Sequence, residues 1–125
     1  MTSIEDLGAG KYIAVTTFKK DGTPIATPVW VVRRNHELLI LTQSDSGKVK
    51  RLRSNPSVLV APCDARGRLK AEAVPGTALL QDETQTHLTA SLIQHRYGFM
   101  GRMIGWLNEM RRGSDEHVGI TITLT

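Results

Sequence analysis

The chain has 125 residues and a mass of 13.8 kDa, with 40% hydrophobic and 22% charged residues and a formal net charge of +4. That length accommodates one domain, spanning 1–125, and the composition excludes intrinsic disorder. The one cysteine, Cys63, excludes an intrachain disulfide and every cysteine-cluster metal site.

The opening Met1-Thr-Ser-Ile-Glu-Asp6 has neither the basic segment nor the apolar core of a secretory signal, and no apolar run reaches membrane-spanning length. A soluble, cytoplasmic protein is the expectation. A short helical turn is predicted around Ile4–Leu7. From Tyr12 to Phe18, Ile13, Val15 and Thr17 alternate with Tyr12, Ala14, Thr16 and Phe18, the period of a strand. Asp21-Gly22 marks a turn, and Ile25–Val32 reads as the second strand. Pro28 cannot donate to a ladder, so it predicts an edge, a bulge or a kink there.

Arg33–Glu37 closes another hairpin, and the third strand, Leu38–Thr42, is apolar enough to be buried on both faces. A Ser/Gly loop then opens a basic helix that stops at Asn55-Pro56, because a residue before proline leaves the helical region. Further strands are predicted at Ser57–Cys63, Leu69–Val74 and Thr77–Leu80, with turns at Asp64–Gly67 and Pro75-Gly76. Asp82 followed by Gln85 is a helix start, and Leu88, Leu92, Ile93 and Tyr97 keep helical spacing up to Gly98. The stripe resumes through Phe99, Met103, Leu107 and Met110 to a C-cap at Gly113, and Val118–Leu124 alternates as a final strand. The expected fold is therefore mainly β: a barrel of six to seven antiparallel strands, with a short helix after the third and a helical segment before the last.

Candidate chemistry concentrates between Thr42 and Pro56. A strand running through Ser46-Gly47 into a helix start gathers free backbone N–H groups and positive dipole potential, which suits a phosphate or carboxylate. Four cations follow: Lys48, Lys50, Arg51 and Arg53. At about 100° per residue, Lys48 and Arg51 share one flank, and Lys50 and Arg53 the other. The alternative is a solvated basic helix capped by Ser44 or Asp45. Trp30, in Thr27-Pro-Val-Trp30, is either core or the wall of a flat ligand's pocket. Cys63 follows Pro62 at a strand end, and the four histidines (36, 87, 95 and 117) give it no ordered base. Nor is there a metal-ligand spacing, a glycosidase carboxylate pair or a serine elbow. With aromatics at 5% and none interleaved with the basic run, a nucleic-acid platform is not expected. An anion site on an apolar barrel without a catalytic constellation points to a bound cofactor that carries the chemistry.

Several stretches, in this order, carry a resemblance: Tyr12-Ile-Ala-Val-Thr-Thr17, Asp21-Gly-Thr-Pro24, Thr27-Pro-Val-Trp30, Leu41-Thr-Gln-Ser-Asp-Ser-Gly-Lys48 and Arg51-Leu-Arg-Ser-Asn-Pro56. Together they resemble the pyridoxamine 5′-phosphate oxidase-like, FMN-binding split β-barrel family. Arg96-Tyr-Gly98 and His117-Val-Gly-Ile-Thr-Ile122 are similar to its small deazaflavin branch, which uses coenzyme F420. The resemblance implies a split barrel, homodimeric, with the cofactor at the dimer interface. It places Pro28, Val29 and Trp30 beside the ring system, and Thr42, Ser46, Gly47, Lys48 and Arg51 at the phosphate. Pro62 and Cys63 border the pocket. Pro-Val-Trp stands where flavin-binding relatives have an arginine-rich strand, and the basic run suits the longer polyanion of F420 better than FMN.

The implied activity is reduction of a small hydrophobic acceptor by reduced F420. The same fold with FMN is one alternative. A non-catalytic flavin or deazaflavin carrier is another.

Overall fold

The computed structural model describes residues 2–98 and 117–125. Ten elements follow in chain order: α1 (Ile4–Ala9), β1 (Tyr12–Phe18), β2 (Pro24–Trp30), β3 (Val32–Arg34), β4 (Glu37–Gln43), α2 (Gly47–Ser54), β5 (Ser57–Cys63), β6 (Val74–Leu80), α3 (Glu83–Tyr97) and β7 (His117–Leu124). The helical stripe expected from Phe99 to Gly113 lies outside the described residues.

All pairings are antiparallel, in the order β2-β1-β5-β6-β7-β4-β3. The two end strands are consecutive in the chain, with only Val31 between them. The sheet therefore curls to bring β2 and β3 together at Val31 without a ladder between them, as in a split barrel. Alternation sends Ile13, Val15, Leu38, Ile40, Val58, Val60, Ile120 and Ile122 into one interior cluster. Two helices close its mouths. Leu7 of α1 enters that cluster at the Tyr12 end of β1, and Leu52 of α2 enters it from the other end. Helix α3 packs on the outside, where Ile93 and Tyr97 meet Trp30, Val32 and Leu41.

Pro28 does mark an edge. β2 pairs only with β1, so a missing N–H there breaks no interior ladder. The third strand of the sequence is buried on both faces at Leu38, Leu39 and Ile40, because α3 covers the outer side. Asp82 caps α3 by accepting the Gln85 N–H at 2.8 Å.

Three expectations need correction. The second strand ends at Trp30, and Val31 separates it from a short β3. Leu69–Val74 is not a strand. Leu69 bridges Cys63 and the ladder resumes at Val60↔Val74, so two residues of β5 face four of the returning chain, and the excess bulges out. Pro75-Gly76 is not a turn but the interior of β6, paired to Leu59 and Val58 on one side, with Gly76 also paired to Leu124 on the other. Pro75 stays in the ladder through its carbonyl, which accepts the Thr125 N–H at 3.1 Å.

No helix among the described residues is long and apolar enough to cross a membrane. Among the same residues no group of three His, Cys, Asp or Glu side chains could hold a metal ion.

Candidate functional site

The end of β4 and the start of α2 bring Thr42, Ser46, Gly47, Lys48 and Arg51 together. Ser46, rather than Ser44 or Asp45, is the N-cap, and its hydroxyl accepts the Val49 N–H at 3.3 Å and lies 3.5 Å from the Thr42 hydroxyl. No acid occupies the first turn of α2. Arg51 reaches back along the helix: its Nε donates to Thr17 Oγ1 at 2.6 Å, and its Nη1 lies so close to Gly47 that an added Cβ would sit 2.8 Å away. The expected division of the cations holds, since Lys48 is 9% exposed and Arg51 half-buried, while Lys50 and Arg53 face solvent.

Lys48 is an expensive residue for this position. Burial, and then the neighbouring Arg51 guanidinium, push its pKa below the ordinary lysine value. The described ion pairs, Arg33–Glu5 and His87–Glu83, both lie away from α2, so neither cation is neutralised by them. A buried ammonium beside a guanidinium, at a helix start with no acid in its first turn, is what an anion would need and what stability alone would not select.

Pro28, Val29, Trp30, Pro62 and Cys63 form a second neighbourhood. β1 lies between β2 and β5, with Tyr12 in register with both Trp30 and Cys63, Ile13 with Val29 and Pro62, and Ala14 with Pro28 and Ala61. Strand alternation then splits the five. Pro28, Trp30 and Cys63 share the outer face, whereas Val29 and Pro62 share the inner face with Ile13. Cys63 is buried, and its thiol is pushed up by that burial and then by Asp64. A raised pKa leaves less thiolate at neutral pH, which works against a nucleophilic role. Thr17, which anchors Arg51, stands three residues along β1 from Ala14, about 10 Å at the strand rise.

Two groups that bear on the site were not among the predicted residues. The Tyr97 ring stacks on Trp30, with centroids 4.9 Å apart and planes 10° from parallel. Its hydroxyl accepts the Val31 N–H at 3.1 Å and faces the carbonyls of Lys11 and Val31, each at 2.8 Å. Burial raises its pKa, so it stays a neutral donor. Arg96 adds bonds to the carbonyls of Val31, Ala9 and Gly10. The second group is the 64–68 turn, whose Gly67 packs toward the Pro28 ring. The helical spacing from Ile93 gave Tyr97 as an inward residue, but nothing local in the sequence pairs it with Trp30.

The family model for pyridoxamine 5′-phosphate oxidase matches residues 5–118. The chain belongs to that family. No curated protein sequence matches it. Solved structures within reach of its fold include an F420 reductase, 16% identical, with TM-score 0.64 over 100% of this chain and 95% of that one. The heme storage protein HutZ from Vibrio cholerae is 14% identical, with TM-score 0.64 over 92% of this chain and 82% of its own. An FAD-binding protein from Mesorhizobium loti is 17% identical, with TM-score 0.60 over 94% and 82%. At these identities the likeness is one of fold, and the family's split barrel hosts both oxidoreductases and binding proteins.

Proposed function

We propose that the protein is an oxidoreductase using reduced coenzyme F420 as hydride donor to a small hydrophobic acceptor, with the cofactor held at the interface of a homodimer. The observation that carries this reading is Lys48, a buried cation beside Arg51 at the Ser46-Gly47 helix start. An anion bound there would offset the cost of burying that charge. Thr17, which Arg51 grips, and Ala14, in register with Pro28, stand about 10 Å apart along β1, a spacing that suits an elongated ligand with an anion at one end and a ring at the other.

When bound, the deazaflavin supplies the hydride. The chain's own residues bind and orient. Ser46, Gly47, Lys48 and Arg51 would hold the phosphate, Thr42 supports the Ser46 hydroxyl, and Pro28, Trp30 and Cys63 would border the ring on the outer face, with Val29 and Pro62 backing them from the inner one. Tyr97 fixes the plane of Trp30. Positioning and water exclusion are the protein's part in catalysis.

Fluorescence titration of the purified protein with F420 and with FMN tests the cofactor. Tighter binding of F420 by tenfold or more is expected, and equal weak binding of both would remove the deazaflavin reading. A second reading, a cofactor or tetrapyrrole carrier without turnover, draws on the fold shared with HutZ. Oxidation of reduced F420 in the presence of quinones or enones separates it from the first.

A further inference from the structure

The geometry points to the hairpin from Asp64 to Lys70 as an anion arm beside the Pro28–Trp30 wall, holding a carboxylate group on the acceptor that packs against that wall. The inference rests on the cofactor reading above and adds a second charge-recognising element to it.

The hairpin is built rather than loose. Asp64 Oδ1 accepts the N–H groups of Arg66 and Arg68, each at 2.9 Å, while the Asp64 N–H donates to the Arg68 carbonyl at 3.1 Å. The Gly67 N–H closes the turn on the Asp64 carbonyl at 3.0 Å, and Lys70 N–H returns to the Pro62 carbonyl at 2.8 Å. Gly67 has φ +87°, a conformation that side chains other than glycine's adopt only with strain. These bonds hold the Asp64 carboxylate below its usual pKa, and they commit it to the loop's own backbone.

Three cations, Arg66, Arg68 and Lys70, are thereby displayed on a rigid frame whose one acid is already engaged. Gly67 places that frame against Pro28, so the arm borders the outer face that carries Trp30 and Cys63. Leu69, 58% exposed, stands among the cations and adds apolar surface. Apolar surface beside guanidinium groups suits a hydrophobic molecule bearing a carboxylate. The Lys48–Arg51 pair sits at the other end of β1, so one phosphate cannot serve both groups.

The acidic tail of F420 continues from its phosphate, which the Lys48–Arg51 pair would hold at the other end of β1, so the carboxylate at the arm is an acid group on the acceptor. Arg66→Ala/Arg68→Ala protein, full length, is titrated with F420 and with F420 lacking its glutamate chain. The KM values for naphthoquinone and for a naphthoquinone carboxylate are then compared. Unchanged cofactor affinity with a rise of about tenfold in KM for the carboxylate alone, the size two exposed charge contacts supply, is the expected result. An affinity loss for intact F420 alone would give the arm to the cofactor's tail and overturn the inference. Arg66→Lys/Arg68→Lys, which keeps both charges, should leave KM close to the wild-type value. No change in any of these, or equal losses for charged and uncharged ligands alike, overturns the inference. If the wild-type protein prefers FMN, the cofactor reading falls, and the quinone pair run with FMN decides the hairpin by the same criteria.

Discussion

Tyr97 holds Trp30 in a parallel stack and, through one hydroxyl, also satisfies the backbone of Val31 next to it. Helix α3 is thus bound to the point where β2 passes into β3. Replacing Tyr97 by Phe keeps the stack but leaves the buried Val31 N–H without its acceptor. The expected loss is about 1–3 kcal/mol. Tyr97→Leu should lose about 0.5–1.5 kcal/mol more, for the ring pair. Urea unfolding measures both, and a Phe variant as stable as wild type would show that the Val31 N–H finds another acceptor.

Lys48→Met should stabilise the ligand-free protein and weaken anion binding in the same variant. Its folded pKa lies below the unfolded value of 10.5, so between the two the unfolded chain binds more protons. Stability contributed through Lys48 therefore rises with pH across that alkaline window and is lowest below it. The difference in unfolding free energy between Lys48→Met and wild type should shrink as pH rises from 7 towards about 10. A constant difference would mean that Lys48 is as well solvated in the folded protein as out of it.

The two flanks of α2 should separate in binding. Lys48→Ala/Arg51→Ala is expected to weaken F420 by about a hundredfold, the worth of two partly desolvated charge contacts at the low end of their range. Lys50→Ala/Arg53→Ala should change it by about twofold or less, and mainly at low salt. Equal losses from both pairs, in calorimetric titrations, would place the anion elsewhere.

Gly119→Ala is predicted to be among the costliest single-methyl additions. An added Cβ would run into Oε1 of Gln81, which accepts from Thr89 at 2.7 Å while its Nε2 donates to Thr121 at 2.8 Å. The Gly119 N–H itself donates to Thr86 at 3.0 Å, so the strand cannot simply move away from α3. A loss of about 2–4 kcal/mol is expected from overpacking together with a broken buried network. Thermal unfolding checks it, and a shift of less than a degree or two in Tm would show that Gln81 swings clear.

Local chemistry made much of the fold legible. Residue patterning located six of the seven strands; β3 escapes it, because Val32 reads as part of its predecessor and Arg33-Arg34 as part of the following turn. Pro28 announced an edge, and Asp82 announced a helix. What could not be read depended on partners distant in the chain. The alternation of Leu69–Val74 looks like a strand until the register of β5 leaves it two residues too long. Trp30 and Tyr97 meet across 67 positions, and the family's order of motifs does not show that contact. At the site, helical phase sorted the four cations of α2 correctly. It could not show that Lys48 is buried, because burial depends on how α2 seats against β1 and β6. The split of Pro28 and Trp30 from Val29 also follows from period two alone, but which face carries the ligand does not.

Pro24 and Pro28 have a consequence for how copies of the chain can meet. Both lie in β2, at the end of the strand order, and both share one side-chain face and hence one lateral direction of the backbone. Where a free donor row would invite a further strand, every second donor position from Pro24 to Pro28 is blank. Polymer growth by strand addition is closed off along that margin.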